Sequence, residues 1–207
     1  MNPYNAKGRA TRGAVCLASE RFKPFGTVRC SNPPFFRCQL ARDLGCILDV
    51  DDDVVAWCCR PHGMDAALDE IEWQGPPPDF MVTYPNGKEL YLHAVEDVGD
   101  PEVTEAAACR KLWHRFVKAT DIRVGYRLQN ARDLLRYAAY QTPLGDRIRL
   151  LAALEHEGSA TVAECLSIFR EVSPIAGLSS LILNRVVTVD LDAELIAPHT
   201  PVRVFGI

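Results

Sequence analysis

Asp79 is the residue around which a chemistry can be built. It follows Pro76, Pro77 and Pro78 and opens the apolar run Phe80-Met81-Val82-Thr83-Tyr84. Pro85-Asn86-Gly87-Lys88 then carries turn residues, with Asn-Gly the strong hairpin dipeptide. Leu90 to Val95 reads as the returning strand. Side chains two apart on a strand share a face, so Leu90, Leu92 and Ala94 point one way and Tyr91, His93 and Val95 the other. A carboxylate at the start of such a hairpin can help to hold a divalent cation. His93 can ligate a metal as well, although an imidazole suits Mg²⁺ poorly because that ion prefers oxygen. Two plainer readings stand beside these: Asp79 as a turn residue after prolines, and His93 as a partly buried polar residue of its strand.

The other chemistry-bearing residues are dispersed. His62, His114, His156 and His199 show no pairing that makes a ligand set, and read as surface residues. Cysteines stand at 16, 30, 38, 46, 58, 59, 109 and 165, with no C-x-x-C pair. Zinc through Cys58, Cys59 and His62 is conceivable. Free buried thiols in a reducing compartment are the better reading. Trp57, Trp73 and Trp113 read as core residues rather than base-stacking platforms.

Elements must position these groups. Residues 1–34 mix Gly, Pro, Arg and Lys with little periodicity and read as a basic arm. Phe36, Leu40, Leu44, Ile47 and Leu48 recur at helical spacing, which predicts an amphipathic helix over 35–48. Val54 to Cys59 reads as a short strand, and 61–75 as undecided. A helix is expected over 102–119, with Ala108, Leu112, Phe116 and Ala119 inward and Lys111, His114 and Lys118 on its outer stripe. Ile122 to Tyr126 reads as a strand. Leu128 to Tyr140 reads as a helix carrying Arg132 and Arg136 on one face. Thr142-Pro143 places an N-cap before Pro at the first helical position. The helix that follows is expected to bury Ile148, Leu151 and Leu154 and to stop near Gly158. Thr161-Val162-Ala163-Glu164 is a capping box opening a helix to about Arg170. Ser173-Pro174 opens a third helix, through about Asn184. Val186 to Leu191 and Val202 to Phe205 read as strands. Three short helices and a hairpin predict a winged helix-turn-helix, with a boundary near Gln141.

Composition bounds the class. The chain has 207 residues, 48% of them hydrophobic and 24% charged, which excludes a disordered polymer. No apolar run approaches the ~20 residues that span a bilayer, and the polar start, Met1 to Arg12, lacks the apolar core of a secretory signal. A cytoplasmic protein without membrane contact is expected. The net charge of −4 hides an asymmetry. Residues 1–42 hold eight bases and one acid, residues 43–105 two bases and sixteen acids, and the remainder thirteen bases and ten acids. Basic regions suit phosphate, and Lys111, Lys118, Arg132 and Arg136 are the candidates for DNA contact. The acidic block reads as a metal-binding or a solvated face.

A strand opening with Pro-Asp, a hairpin turn and a second strand make the frame of the PD-(D/E)xK nucleases. Over residues 35–207 the chain resembles the TnsA family of transposon-end endonucleases. The resemblance rests on Arg37-Cys38-Gln39-Leu40-Ala41-Arg42-Asp43, Arg60-Pro61 and Pro78-Asp79-Phe80. It extends to the stretch from Leu128 to Tyr137 and to the ending with Val187-Thr188-Val189-Asp190-Leu191. It implies a restriction-endonuclease-like α/β core over 35–141, a mixed sheet flanked by helices, and a winged-helix domain over 142–207. It also implies Mg²⁺-dependent nicking of transposon ends beside a DDE transposase, with an ATPase regulator contacting the tail.

The catalytic positions depart from that pattern. The family's helical Glu falls at Arg37 or Ala41. Its (D/E)-x-K triplet falls on His93-Ala94-Val95, and Val95 has no amine to orient a water. Asp79 alone survives as a metal ligand, with His93 beside it. The expectation is a catalytically degraded TnsA-like protein that binds DNA or a partner and needs no certain cofactor. One alternative is an active Mg²⁺ endonuclease whose site is rebuilt from Asp79, Glu96 or Asp97, and Lys111 or Lys118. Another is a winged-helix DNA-binding regulator. The helix 174–184 contains no Lys or Arg, which favours a protein-contact tail over a major-groove reader.

Overall fold

A computed structural model describes residues 22–59 and 77–206. The chain enters a long helix, α1 (Gln39–Val50), four residues later than the apolar spacing alone would place it. Phe36, Leu40, Leu44 and Leu48 are all buried, so the expected stripe faces the core. A four-stranded sheet follows: β1 (Ala56–Cys59), β2 (Phe80–Thr83), β3 (Glu89–Val95) and β4 (His114–Lys118), in that spatial order. The first three strands are antiparallel, and β3 and β4 are parallel. Parallel neighbours need a crossover, supplied here by α2 (Pro101–Cys109). Asp100 caps α2, its side chain accepting from Glu102 N at 2.9 Å, and Pro101 stands at the first helical position.

The β2–β3 hairpin forms as its turn residues dictate. Gly87 takes φ 73°, and Phe80 faces Leu92 across the ladder. Its inner face meets Trp57 and Phe36, with Phe80 edge-on to Trp57 at 5.3 Å. Trp57 Nε1 donates to Asp49 Oδ1 at 3.0 Å, so even the indole's polar atom is satisfied inside.

The stretch 102–119 departs from expectation. The helix stops at Cys109, Lys111 takes φ 57°, and His114–Lys118 runs as strand β4. Lys111, His114 and Lys118 therefore share no helical stripe. A β-branched and aromatic run against an existing strand edge outweighs a 3.6-residue spacing. A short helix, α3 (Ala119–Ile122), replaces the strand expected over 122–126. It leads to α4 (Arg127–Leu135), which packs on α1.

The remainder runs α5 (Leu144–Glu157), β5 (Ala160–Thr161), α6 (Val162–Ile168), α7 (Pro174–Leu183), β6 (Val187–Thr188) and β7 (Pro201–Val204). The three strands make a small sheet in the order β5-β7-β6. Gly158 ends α5 at φ 77°, and Thr161 and Glu164 form the expected capping box. Thr142 does not cap α5. Pro143 takes that position and Thr142 Oγ1 donates to Gly177 O at 2.8 Å. The buried face of α5 is Asp146, Leu150 and Leu154, while Ile148 is exposed. Asp146 is buried because the amides of Arg170 and Glu171 donate to it at 2.8 and 3.0 Å, and Arg149 Nη2 at 2.5 Å.

One apolar cluster runs from Phe36 through to Val202. Two arginines tie helix ends together across it. Arg185 Nη2 donates to Asp51 O and Val54 O at 2.6 and 2.7 Å, just past the end of α1. Arg29 Nη2 donates to Leu183 O at 3.2 Å, at the end of α7. Each guanidinium meets the negative end of a helix. Asn130, buried in α4, donates to Leu191 O and Glu194 O and accepts from Ile196 N, at 2.8–3.0 Å. Among the described residues no helix is long and apolar enough to cross a membrane.

Candidate functional site

Asp79 sits one residue ahead of β2 and is 7% exposed. Its backbone N donates to Leu92 O at 2.9 Å, which fixes it against β3. Its carboxylate accepts from three donors. Ala94 N reaches Oδ2 at 2.8 Å. Arg37 Nε reaches Oδ1 at 2.6 Å and Arg37 Nη2 reaches Oδ2 at 3.1 Å. The same Nη2 donates to the Ala94 carbonyl. Arg37 therefore forks over the carboxylate and bridges it to the neighbouring strand. The hydrogen bonds to Asp79 hold the guanidinium above its ordinary pKa, against the opposing effect of burial.

These residues do not fit Mg²⁺. Both Asp79 oxygens are engaged, and a cation already bridges Asp79 and the Ala94 carbonyl. The positions that would complete an oxygen site hold His93 and Val95. Among the described residues no three His, Cys, Asp or Glu side chains are grouped to hold a metal. The acids of the rebuilt-site alternative are engaged with bases on the surface. Glu96 pairs with Arg123 at 3.5 Å and Asp97 with Lys118 at 3.9 Å, all four side chains at least half exposed.

His93 is 2% exposed, and its Nδ1 meets His114 Nε2 at 2.8 Å. Phe116 closes the cluster, with ring centroids 5.5 Å from His93 and 4.7 Å from His114. The strand pairing brings these rings together, because His93 faces Phe116 across β3 and β4. One imidazole must donate and the other accept. Burial, then the neighbouring His93, pushes His114 down to about 4. The pair is a half-buried hydrogen-bonded contact, so His114 is not the surface residue its isolation in the sequence implied.

Of the four DNA-contact candidates, Arg132 and Arg136 line one cavity, which Lys111 and Lys118 do not line. Lys111 is exposed beyond the end of α2, and Lys118 ends β4. Arg136 is exposed and lies 3.4 Å from Asp133. Arg132 is committed inward, its Nη2 donating at 2.6 Å to Asp43, which is 1% exposed. Of the zinc trio, His62 lies outside the described residues, as do the segment 61–75 and most of the basic arm. Cys58 and Cys59 are buried free thiols.

Sequence reasoning missed Arg37 as the partner of Asp79. The available signal was a base standing where the resemblance places an acid. No protein-family model matches the chain, and no curated protein matches it.

Proposed function

We propose that the chain is a TnsA-like transposition protein that acts on DNA as a non-catalytic subunit. Its frame is read as a restriction-endonuclease-like core with a winged-helix tail. The observation that carries the reading is the Arg37 fork, a guanidinium bridging Asp79 and the Ala94 carbonyl. A fixed organic cation there neutralises the surviving carboxylate but offers no open position for a water or a phosphate oxygen. Three departures agree with one another: Arg37 supplies the charge, Val95 removes the amine, and His93 turns to His114.

The topology supports the frame. An antiparallel hairpin leads through a helix into a parallel fourth strand. The tail runs helix, short strand, helix, helix and two strands, and the short strand joins the last. Within that tail, Ala176 to Leu181 and Leu183 are buried, so α7 offers little surface to a groove. The tail is therefore read as a protein-contact element, with a transposase or an ATPase regulator as the class of partner.

The test is a pair of assays on the full chain. Fluorescence anisotropy with duplex DNA should give an affinity that falls steeply with salt. Incubation of supercoiled plasmid with Mg²⁺ or Mn²⁺ should leave it intact. Metal-dependent nicking that disappears in Asp79→Ala would overturn the non-catalytic reading. Binding indifferent to ionic strength would overturn the DNA reading.

A further inference from the structure

A cavity of about 710 Å³ lies between the segment Lys23–Gly26 and the C-terminal end of α4, with Gln39 of α1 on its wall. Its apolar lining includes Pro24, Phe25, Leu135 and Ala138. Phe25 is 58% exposed, an aromatic ring left open to solvent with Lys23 Nζ 5.9 Å from its centroid. The segment lies close against the end of α4 because residue 26 is glycine. A Cβ there would come within 2.6 Å of Ala138 Cβ.

Positive charge gathers on this cavity. Lys23, Arg132 and Arg136 line it, opposed on the lining by Asp133 and, behind Arg132, by buried Asp43. A fourth cation sits beneath. Arg42 is 0% exposed, donates to Pro24 O and Gly26 O at 2.7 Å each, and forms no ion pair among the described residues. Arg42 Nη1 and Arg132 Nε are buried without a hydrogen-bond partner among those residues. The first turn of α1 adds to the potential, having neither a side-chain cap nor an acid. An apolar wall with an exposed ring, edged by Lys23 and Arg136, matches the chemistry of a flat aromatic base joined to a phosphate.

We infer that this cavity takes a single nucleotide splayed from a DNA strand, its base against Phe25 and its phosphate beside Lys23 and Arg136. The inference rests on the DNA-handling reading and adds a preference for unpaired ends. A volume of about 710 Å³ has room for one nucleotide, and a base must leave its duplex stack before its face can lie against Phe25. Stacking on one aromatic side chain gives about tenfold tighter binding or more.

The experiment measures anisotropy of the full chain with a blunt duplex, the same duplex bearing a four-nucleotide single-stranded overhang, and free adenosine monophosphate as competitor. The expected result is about tenfold tighter binding to the overhang. Phe25→Ala should collapse that ratio towards one, and Arg136→Gln should weaken overhang binding. Both side chains are exposed, so neither variant threatens the fold. Equal affinity for both duplexes, or a preference that survives Phe25→Ala, overturns the inference and leaves the DNA reading standing. Absence of binding to either duplex overturns both. Displacement by the monophosphate at concentrations matching the strand assigns the cavity to a free nucleotide and overturns the strand assignment.

Discussion

Arg37 and Asp79 stand 42 residues apart, and nothing in either local sequence announces their meeting. The hairpin that carries Asp79 was legible because Asn86-Gly87 and the alternation around it are local signals. The partner was not, because an ion pair between distant elements leaves no periodicity. The same holds for Arg132 and Asp43, where a residue expected to face phosphate turns inward to a buried acid. Removing Arg37 leaves a carboxylate 7% exposed with only a backbone donor. Arg37→Met should therefore cost about 1–3 kcal/mol in urea unfolding. Arg37→Met combined with Asp79→Asn should cost less than the sum of the two single changes, since each removes the same pair. A second prediction concerns His114. Its folded pKa of about 4 lies below the ordinary 6.5, so the unfolded chain takes up the proton first. The contribution is complete above pH 6.5 and is lost as pH falls towards 4. Melting temperature followed across that window should drop, and His114→Phe should show a shallower slope.

At the scale of elements, neither kind of local signal served everywhere: the 3.6-residue stripe of α1 is buried as its spacing requires, while the Thr142 cap does not form. The capping box at Thr161 and Glu164, the glycine stop at Gly158 and the hairpin turn all stand as their residues require. Thr161→Ala should destabilise by about 1 kcal/mol, read by thermal denaturation. The error over 102–119 came from counting apolar residues at intervals of three and four. Trp113 to Lys118 holds two aromatics and a valine, and a free sheet edge beside β3 recruits it as a strand. The placement of β4 leaves no space at Gly99, where a Cβ would lie 2.1 Å from the Phe116 ring. Gly99→Ala should lower the melting temperature by several degrees, and restoring it should require trimming Phe116, as in Gly99→Ala with Phe116→Leu.

The whole molecule is held by polar contacts as well as by its apolar cluster. Asn130 spends both donors and its acceptor on the loop between β6 and β7. Asn130→Ala strands three backbone groups, one buried and two half-buried, and should cost about 2–3 kcal/mol, measured by chemical denaturation. A mixed α/β class was expected from the resemblance and is what the chain forms, but the cross-ties were not foreseen, because they join residues more than sixty positions apart. Their consequence is mechanical. Each guanidinium grips the other half's helix terminus, Arg29 at Leu183 and Arg185 at Asp51. A protease that severs the chain between Tyr140 and Leu144 should thus yield two fragments that elute together from a sizing column, separating only in denaturant.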